Sequence, residues 1–144
     1  MDDFKINYEI NPDLKDIQFL DGKIFENSFL KIGEYSYQNL AFFIREKTNK
    51  IVAGLHGHTG LGWLYINVFW VEQKFRSKGL GRQLLEAAES EATIRGCHGV
   101  YLYTYSFQKP IFYENLGYQI FGQLDNFPDG HSKYFMKKQL QYEE

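Results

Sequence analysis

Hydrophobic positions along the chain change period several times, and each change marks an element. Phe4, Ile6, Tyr8 and Ile10 alternate with polar residues, the period of a half-buried strand. Asn11-Pro12-Asp13 then reads as a helix start, with Asn11 able to cap and Pro12 suited to the first turn. Leu14, Ile17, Leu20, Ile24, Phe25 and Phe29 follow at three- and four-residue steps. They predict one or two amphipathic helices up to Ile32, broken near Asp21-Gly22 and closed by Gly33.

The pattern then turns to strands. Asn39–Glu46 and Lys50–His58 flank the polar turn Lys47-Thr48-Asn49, and Gly60-Leu61-Gly62 leads into a long strand, Trp63–Val71. Two successive hairpins imply antiparallel pairing. Leu84, Leu85, Ala88 and Ala92 restore helical spacing after Gly81, ending at Gly96 with Arg95 in the last turn. Gly99–Tyr105 is a strand reached by that helical crossover, hence parallel to its predecessor. Gln108–Asn115 is a short helix with Pro110 in its first turn and Gly117 after it. Tyr118–Leu124 and Lys133–Leu140 complete the series, separated by the turn-rich stretch from Asp125 to Gly130. The predicted order is β-α-α-β-β-β-α-β-α-β-β, an α/β fold with a mixed sheet, in one domain over residues 1–144.

One junction carries chemistry. The apolar strand ending at Val71 breaks into Arg76-Ser77-Lys78-Gly79-Leu80-Gly81 and then opens a helix. A helix start has backbone N–H groups without intrahelical partners and a partial positive charge, so it attracts anions. Glycine lets a ligand approach the backbone, and Arg76, Lys78 and Arg82 add full charges. The junction is therefore expected to hold a phosphate or pyrophosphate. No Gly-Lys-Ser/Thr follows, which excludes a P-loop, and the third glycine of the dinucleotide fingerprint is missing.

Composition narrows the class. Apolar residues are 44% and charged residues 24% of the chain, which is a globular composition. The formal net charge of −2 argues against nucleic acid or an anionic membrane as the main partner. The start of the chain has neither a basic nor an apolar leader segment, and no apolar run approaches the ~20 residues of a membrane helix. Cys97 is the only cysteine, so no internal disulfide forms and a cytoplasmic location is expected.

The loop Arg76 to Gly81 resembles the Arg/Gln-x-x-Gly-x-Gly loop of the GCN5-related N-acetyltransferases (GNAT). Phe112-Tyr113-Glu114-Asn115-Leu116-Gly117-Tyr118 is similar to a second motif of that family, Tyr-Glu-x-Leu-Gly-Phe/Tyr. Ser106-Phe107-Gln108, with Pro128 to His131, resembles a bacterial branch of small members. The resemblance covers Trp63 to the C-terminus well, and the N-terminal third only in its predicted elements. It implies acetyl-CoA as co-substrate, no metal, and transfer of the acetyl group to a primary amine. The backbone of Phe69, Trp70 and Val71 would bind the pantetheine arm, and Ser77, Lys78, Gly79, Leu80, Gly81 and Arg82 the pyrophosphate, with Arg76 beside them. Tyr113 would be the general acid to the leaving thiolate. Ser106 stands where many members have an asparagine, and a hydroxyl offers fewer bonds than an amide.

Each candidate has a plainer reading. Tyr113 is one of 11 tyrosines, and its motif position singles it out. Glu72 follows the long strand, but the strand interior holds no carboxylate, so Glu26 or a water could take the amine's proton. His56 and His58, with Cys97, His98 and His131, could suggest zinc, but no close ligand spacing joins them. They are expected to line an acceptor cleft or to lie exposed, while Asp125 and Asp129 serve turn chemistry. A small-molecule amine is the default acceptor, a protein N-terminus or lysine the rival. A CoA-binding sensor or partner module without turnover is the reading from another class, and C-terminal edge strands allow a homodimer.

Overall fold

The computed structural model describes residues 3–140. The chain divides into two compact units, Met1–Tyr35 and Ser36–Glu144. In the first, α1 runs unbroken from Leu14 to Ile32. Its N-cap is Asp13, whose carboxylate accepts from the Lys15 N–H at 3.0 Å. Gly33, at φ 82°, ends it and returns its N–H to Phe29 O.

Three expectations for this unit need correction. Phe4–Ile10 is exposed and irregular, not a strand. Alternation gives a strand its faces, but it does not supply the neighbour that a strand's backbone hydrogen bonds need. The helix does not break near Asp21-Gly22, because one interior glycine costs only ~1 kcal/mol against alanine. The cap is Asp13 instead of Asn11, two residues later than expected.

The second unit is a six-stranded mixed sheet in the order β1-β2-β3-β4-β6-β5. The strands are β1 Gln38–Arg45, β2 Ile51–Gly60, β3 Trp63–Val71, β4 Gly99–Tyr105, β5 Gln119–Asp125 and β6 Ser132–Gln139. Two further helices are α2, Leu80–Ile94, and α3, Pro110–Asn115. The mixed α/β class holds, as do the bounds of β3 and β4 and their parallel pairing. On α2 the buried residues Leu84, Leu85, Ala88 and Ala92 form one stripe. Of these, Leu85, Ala88 and Ala92 join Leu40, Leu55, Leu64, Ile66, Val100, Leu102 and Met136 in a core on one face of the sheet.

Two features of β3 open the sheet near its middle. Its partners on β2 run His56↔Val68 and then Gly57↔Ile66, which leaves Asn67 as a bulge. A Cβ on Gly57 would lie 2.0 Å from Tyr65 O, so only glycine admits the strand at that point. The pairing of β3 with β4 covers Trp63↔Gly99, Leu64↔Val100 and Tyr65↔Tyr101 and then stops. Beyond it the two parallel strands diverge.

Candidate active site

The divergence opens a cleft of about 820 Å³ lined by Ile66–Val71 on β3 and by Leu102–Tyr105 on β4. Its third side is the turn into α2, including Arg76, Ser77, Gly79, Leu80, Gly81 and Arg82, and its fourth is the segment through Phe107 to Tyr113. The β3 backbone facing β4 has no strand partner from Ile66 onward, so its N–H and C=O groups are available to an extended ligand lying in the gap.

The turn is tightly folded and leaves a helix start open. Ser77 and Gly79 both have left-handed backbone, at φ 63° and 82°, which folds the loop tightly ahead of the helix. Holding a serine there costs roughly 1–2 kcal/mol, strain of the sort that collects at ligand-binding loops. Gly79 is the N-cap of α2, and no side chain caps the helix. Its first-turn N–H groups thus keep both their donors and the helix dipole for a ligand. Gly81 also has a packing task. A Cβ there would meet the rings of Phe69 and Phe112 at 3.2 Å, so its bare backbone admits two aromatic side chains against the helix start.

The cations divide. Arg76 lies in the lining and donates from Nε to Val71 O at 2.8 Å, which ties the turn to the end of β3. Arg82 is paired with Glu86 at 2.9 Å, but both side chains are more than half exposed, and such a pair is worth only ~0–1 kcal/mol. A phosphate can therefore compete for Arg82. Lys78 is not among the lining residues; its ammonium stands 5.7 Å over the Phe75 ring.

Tyr113 projects from α3 into the lining, its ring against Phe69 at 6.2 Å, Phe112 at 5.2 Å and Tyr118 at 5.9 Å. Burial pushes its phenol up to about 12, so it stays protonated at neutral pH. Phe69, Trp70 and Val71 also line the cleft. Ser106 does not: its hydroxyl accepts from the Ser132 N–H at 2.9 Å and its N–H donates to Ser132 O at 2.8 Å, which fastens β4 to β6. Gln108, two residues on, is in the lining. Its Oε1 accepts from Thr104 Oγ1 at 3.0 Å and from the Tyr105 N–H at 3.1 Å, which leaves the amide NH2 to face a ligand. Sequence reasoning passed over Gln108. The available signal was an amide in the stretch where the family resemblance calls for one.

No carboxylate and no histidine among the described residues lines the cleft. Glu72 meets Lys50 at 3.7 Å, and Glu26 lies on α1 beside Lys23. Nor do three metal-ligating side chains come together anywhere among the described residues. Cys97 is buried in the core, where desolvation raises its thiol above the usual range. His98 packs on Trp63, His58 on Tyr65, His131 on Phe107, and His56 is exposed.

Comparison with known proteins agrees with this geometry. The acetyltransferase (GNAT) family profile matches residues 8–118. Acetyltransferase Atu2258 of Agrobacterium fabrum is 35% identical over 110 residues, 76% of this chain and 80% of that protein. Blasticidin-S acetyltransferase of Streptomyces morookaense is 34% identical over 92 residues, 63% and 68% of the two chains. The crystal structure of an acetyltransferase from Bacillus cereus superposes with a TM-score of 0.84 at 28% identity, covering 93% of this chain and 98% of that one. The chain belongs to the GNAT family and is an acetyltransferase. The fold it shares binds acetyl-CoA: a Bacillus anthracis structure with that ligand aligns at TM-score 0.63 and 20% identity, over 72% and 63% of the two chains.

Proposed function

We propose that the protein transfers the acetyl group of acetyl-CoA to the primary amine of a small molecule by direct attack, in the cleft between β3 and β4. The observation that carries this is the gap after Tyr65↔Tyr101, which leads from an uncapped helix start to Tyr113. The residues suit the co-substrate: the α2 N-terminus, Arg76 and Arg82 meet the pyrophosphate, and the free edge of Phe69–Val71 takes the amide-bearing arm as an added strand.

A neutral amine attacks the thioester carbonyl, the oxyanion takes a backbone N–H of the splayed β3, and the C–S bond breaks. Tyr113 then donates to the leaving sulfur. A phenol held up to about 12 gives up a proton less readily than an exposed one, so its part is a strong hydrogen bond to the thiolate, with transfer as charge builds. The burial that raises the phenol also raises a thiol placed beside it. With no carboxylate or histidine in the lining, water removes the amine's proton.

Tyr113→Phe tests the assignment. We expect a fall of about 10²-fold or more in kcat with acetyl-CoA affinity kept; an unchanged kcat would remove Tyr113 from the chemistry, whereas acetyl-CoA binding with no turnover of any amine by the wild type would favour the sensor reading. Binding itself is read by thermal unfolding, since acetyl-CoA at 100 times its Kd stabilises by ~2.7 kcal/mol. The acceptor assignment draws on the relative named for a small molecule, blasticidin-S. Acetylation of peptide N-termini or lysines in preference to free amines would overturn it. We place the enzyme in the cytoplasm, and no helix among the described residues is long and apolar enough to cross a membrane. The β5 edge, with Phe121 and Leu124 about half exposed, is the surface for a homodimer, which a monomer in sedimentation equilibrium would rule out.

A further inference from the structure

Successive residues of β4 point to opposite sides of the sheet. Leu102 and Thr104 are buried with the core, whereas Tyr101, Tyr103 and Tyr105 stand on the other face. Tyr113 of α3 and Leu116, which caps that helix, pack against the core cluster, as does α2. The core face of the gap is thereby taken, and the acceptor's side is the face of Tyr103 and Tyr105, both of which line the cleft.

Next to that face, outside the residues that line the cleft but paired with one of them, is an ammonium held among rings. Lys133 lies opposite Tyr105 in the β4–β6 register. Its Nζ sits 3.8 Å from the Tyr103 ring centroid, 4.9 Å from Phe127, 5.3 Å from Phe135 and 5.9 Å from Tyr105. Ring faces hold a cation in place but leave its N–H donors largely unspent. Among the described residues no carboxylate comes within 4.0 Å of it. Four glutamates of this unit are engaged elsewhere: Glu72 with Lys50, Glu86 with Arg82, Glu89 with Lys138, Glu91 with Arg95. Asp125 is bound by Gln123 and Ser132, whose neighbour in the strand points the opposite way. Asp129 belongs to the turn between Phe127 and His131.

We propose that Lys133 is the acceptor-selecting residue and that the acceptor is a small amine bearing a carboxylate. The inference rests on the small-amine reading above and names its class. In the reading above Arg76 and Arg82 meet the pyrophosphate, which leaves Lys109 as the remaining cation of the lining, and no carboxylate is among the lining residues. A polycationic acceptor finds no counter-charge there, while a carboxylate reaching Lys133 gains a charge-assisted hydrogen bond to an ammonium already held by four rings. Tyr105 and Phe107, stacked at 5.0 Å and 15°, give the apolar part of such an acceptor a flat wall.

The test uses pairs of acceptors that differ only in the carboxylate: each standard L-amino acid and its carboxamide, with spermidine as a polycation, followed by thiol release from acetyl-CoA. The wild-type protein is compared with Lys133→Met, which keeps the stem over the rings, and with Lys133→Arg, which keeps the charge. The expected result is a carboxylate-to-amide ratio of kcat/KM that drops about 10-fold or more in K133M and recovers in K133R. Taking the ratio between variants cancels the different amine basicities of acid and amide. A ratio equal in wild type and K133M, a preference for spermidine, or no turnover of any amino acid while acetyl-CoA still raises the unfolding midpoint would each overturn the proposal. If acetyl-CoA raises no midpoint, the reading of the cleft itself fails, and the proposal falls with it.

Discussion

The phenol of Tyr118 donates a 2.9 Å hydrogen bond to Glu89 Oε2, joining the residue before β5 to the middle of α2. Lys138 on β6 takes the other carboxylate oxygen at 2.8 Å. Tyr118 also carries Tyr113, through the edge-on ring contact and through its N–H, which donates to Tyr113 O at 3.0 Å. Removing only the hydroxyl, in Tyr118→Phe, deletes a bond to a charged group inside this junction. We expect a loss of about 1.5–3 kcal/mol in urea unfolding with an unchanged m-value. A loss under ~0.5 kcal/mol would mean that water replaces the phenol at Glu89.

The same pair sets the alkaline limit of the fold. Burial raises Tyr113 to about 12, and burial followed by the Glu89 charge and hydrogen bond raises Tyr118 further. In the unfolded chain both phenols ionise near pH ~10. Their contribution is therefore complete below that value and declines above it, until Tyr113 ionises in the folded protein near 12. With two such groups the slope approaches ~2.7 kcal/mol per pH unit. The raised thiol of Cys97 acts in the same sense from pH ~8.5. We expect a midpoint flat from pH 7 to ~8.5 and falling steeply above 10, with Tyr118→Phe removing about half of the late slope. A late slope untouched by that substitution would assign it to other groups.

What the sequence revealed was what is written locally. The turn from Arg76 to Gly81 was legible because a strand end, two glycines and a helix start follow one another along the chain. β3 and β4 were legible because their apolar runs are bounded by glycines or polar residues. The strand expected at Phe4–Ile10 failed because pairing depends on a distant neighbour that alternation cannot show. Ser106 shows a related limit: its hydroxyl accepts from the Ser132 N–H and lies outside the lining, where Gln108, two residues on, presents an amide, and neither fact is written in the motif. The rings around Lys133 come from β4, β6 and the turn between β5 and β6, so no stretch of sequence holds the pattern.

Gly57 offers a test of whether the bulge on β3 is required. A Cβ there would lie 2.0 Å from Tyr65 O, 3.0 Å from Tyr65 C and 3.1 Å from Ile66 Cα, all backbone, so no flexible side chain can yield. We expect Gly57→Ala to cost at or above the top of the ~1–3 kcal/mol range of overpacking, and to shift the β3 edge that faces the cleft. Stability and acetyl-CoA affinity should fall together. A variant of wild-type stability would show that β3 re-registers past Asn67 at no cost.

Arg76 separates positioning from charge. Its Nε is committed to Val71 O at 2.8 Å, which holds the guanidinium plane against the strand end while its terminal N–H groups remain for a phosphate. Lysine cannot do both, because an ammonium on a flexible stem lacks the fixed fork. We expect Arg76→Ala to raise the KM for acetyl-CoA about 10-fold or more with a small change in kcat, and Arg76→Lys to recover only part of it. Salt discriminates further: raising ionic strength should weaken acetyl-CoA binding more in the wild type than in Arg76→Ala, since only the former has that charge to screen. Equal salt sensitivity in the two proteins would reduce Arg76 to a structural clip between β3 and the turn.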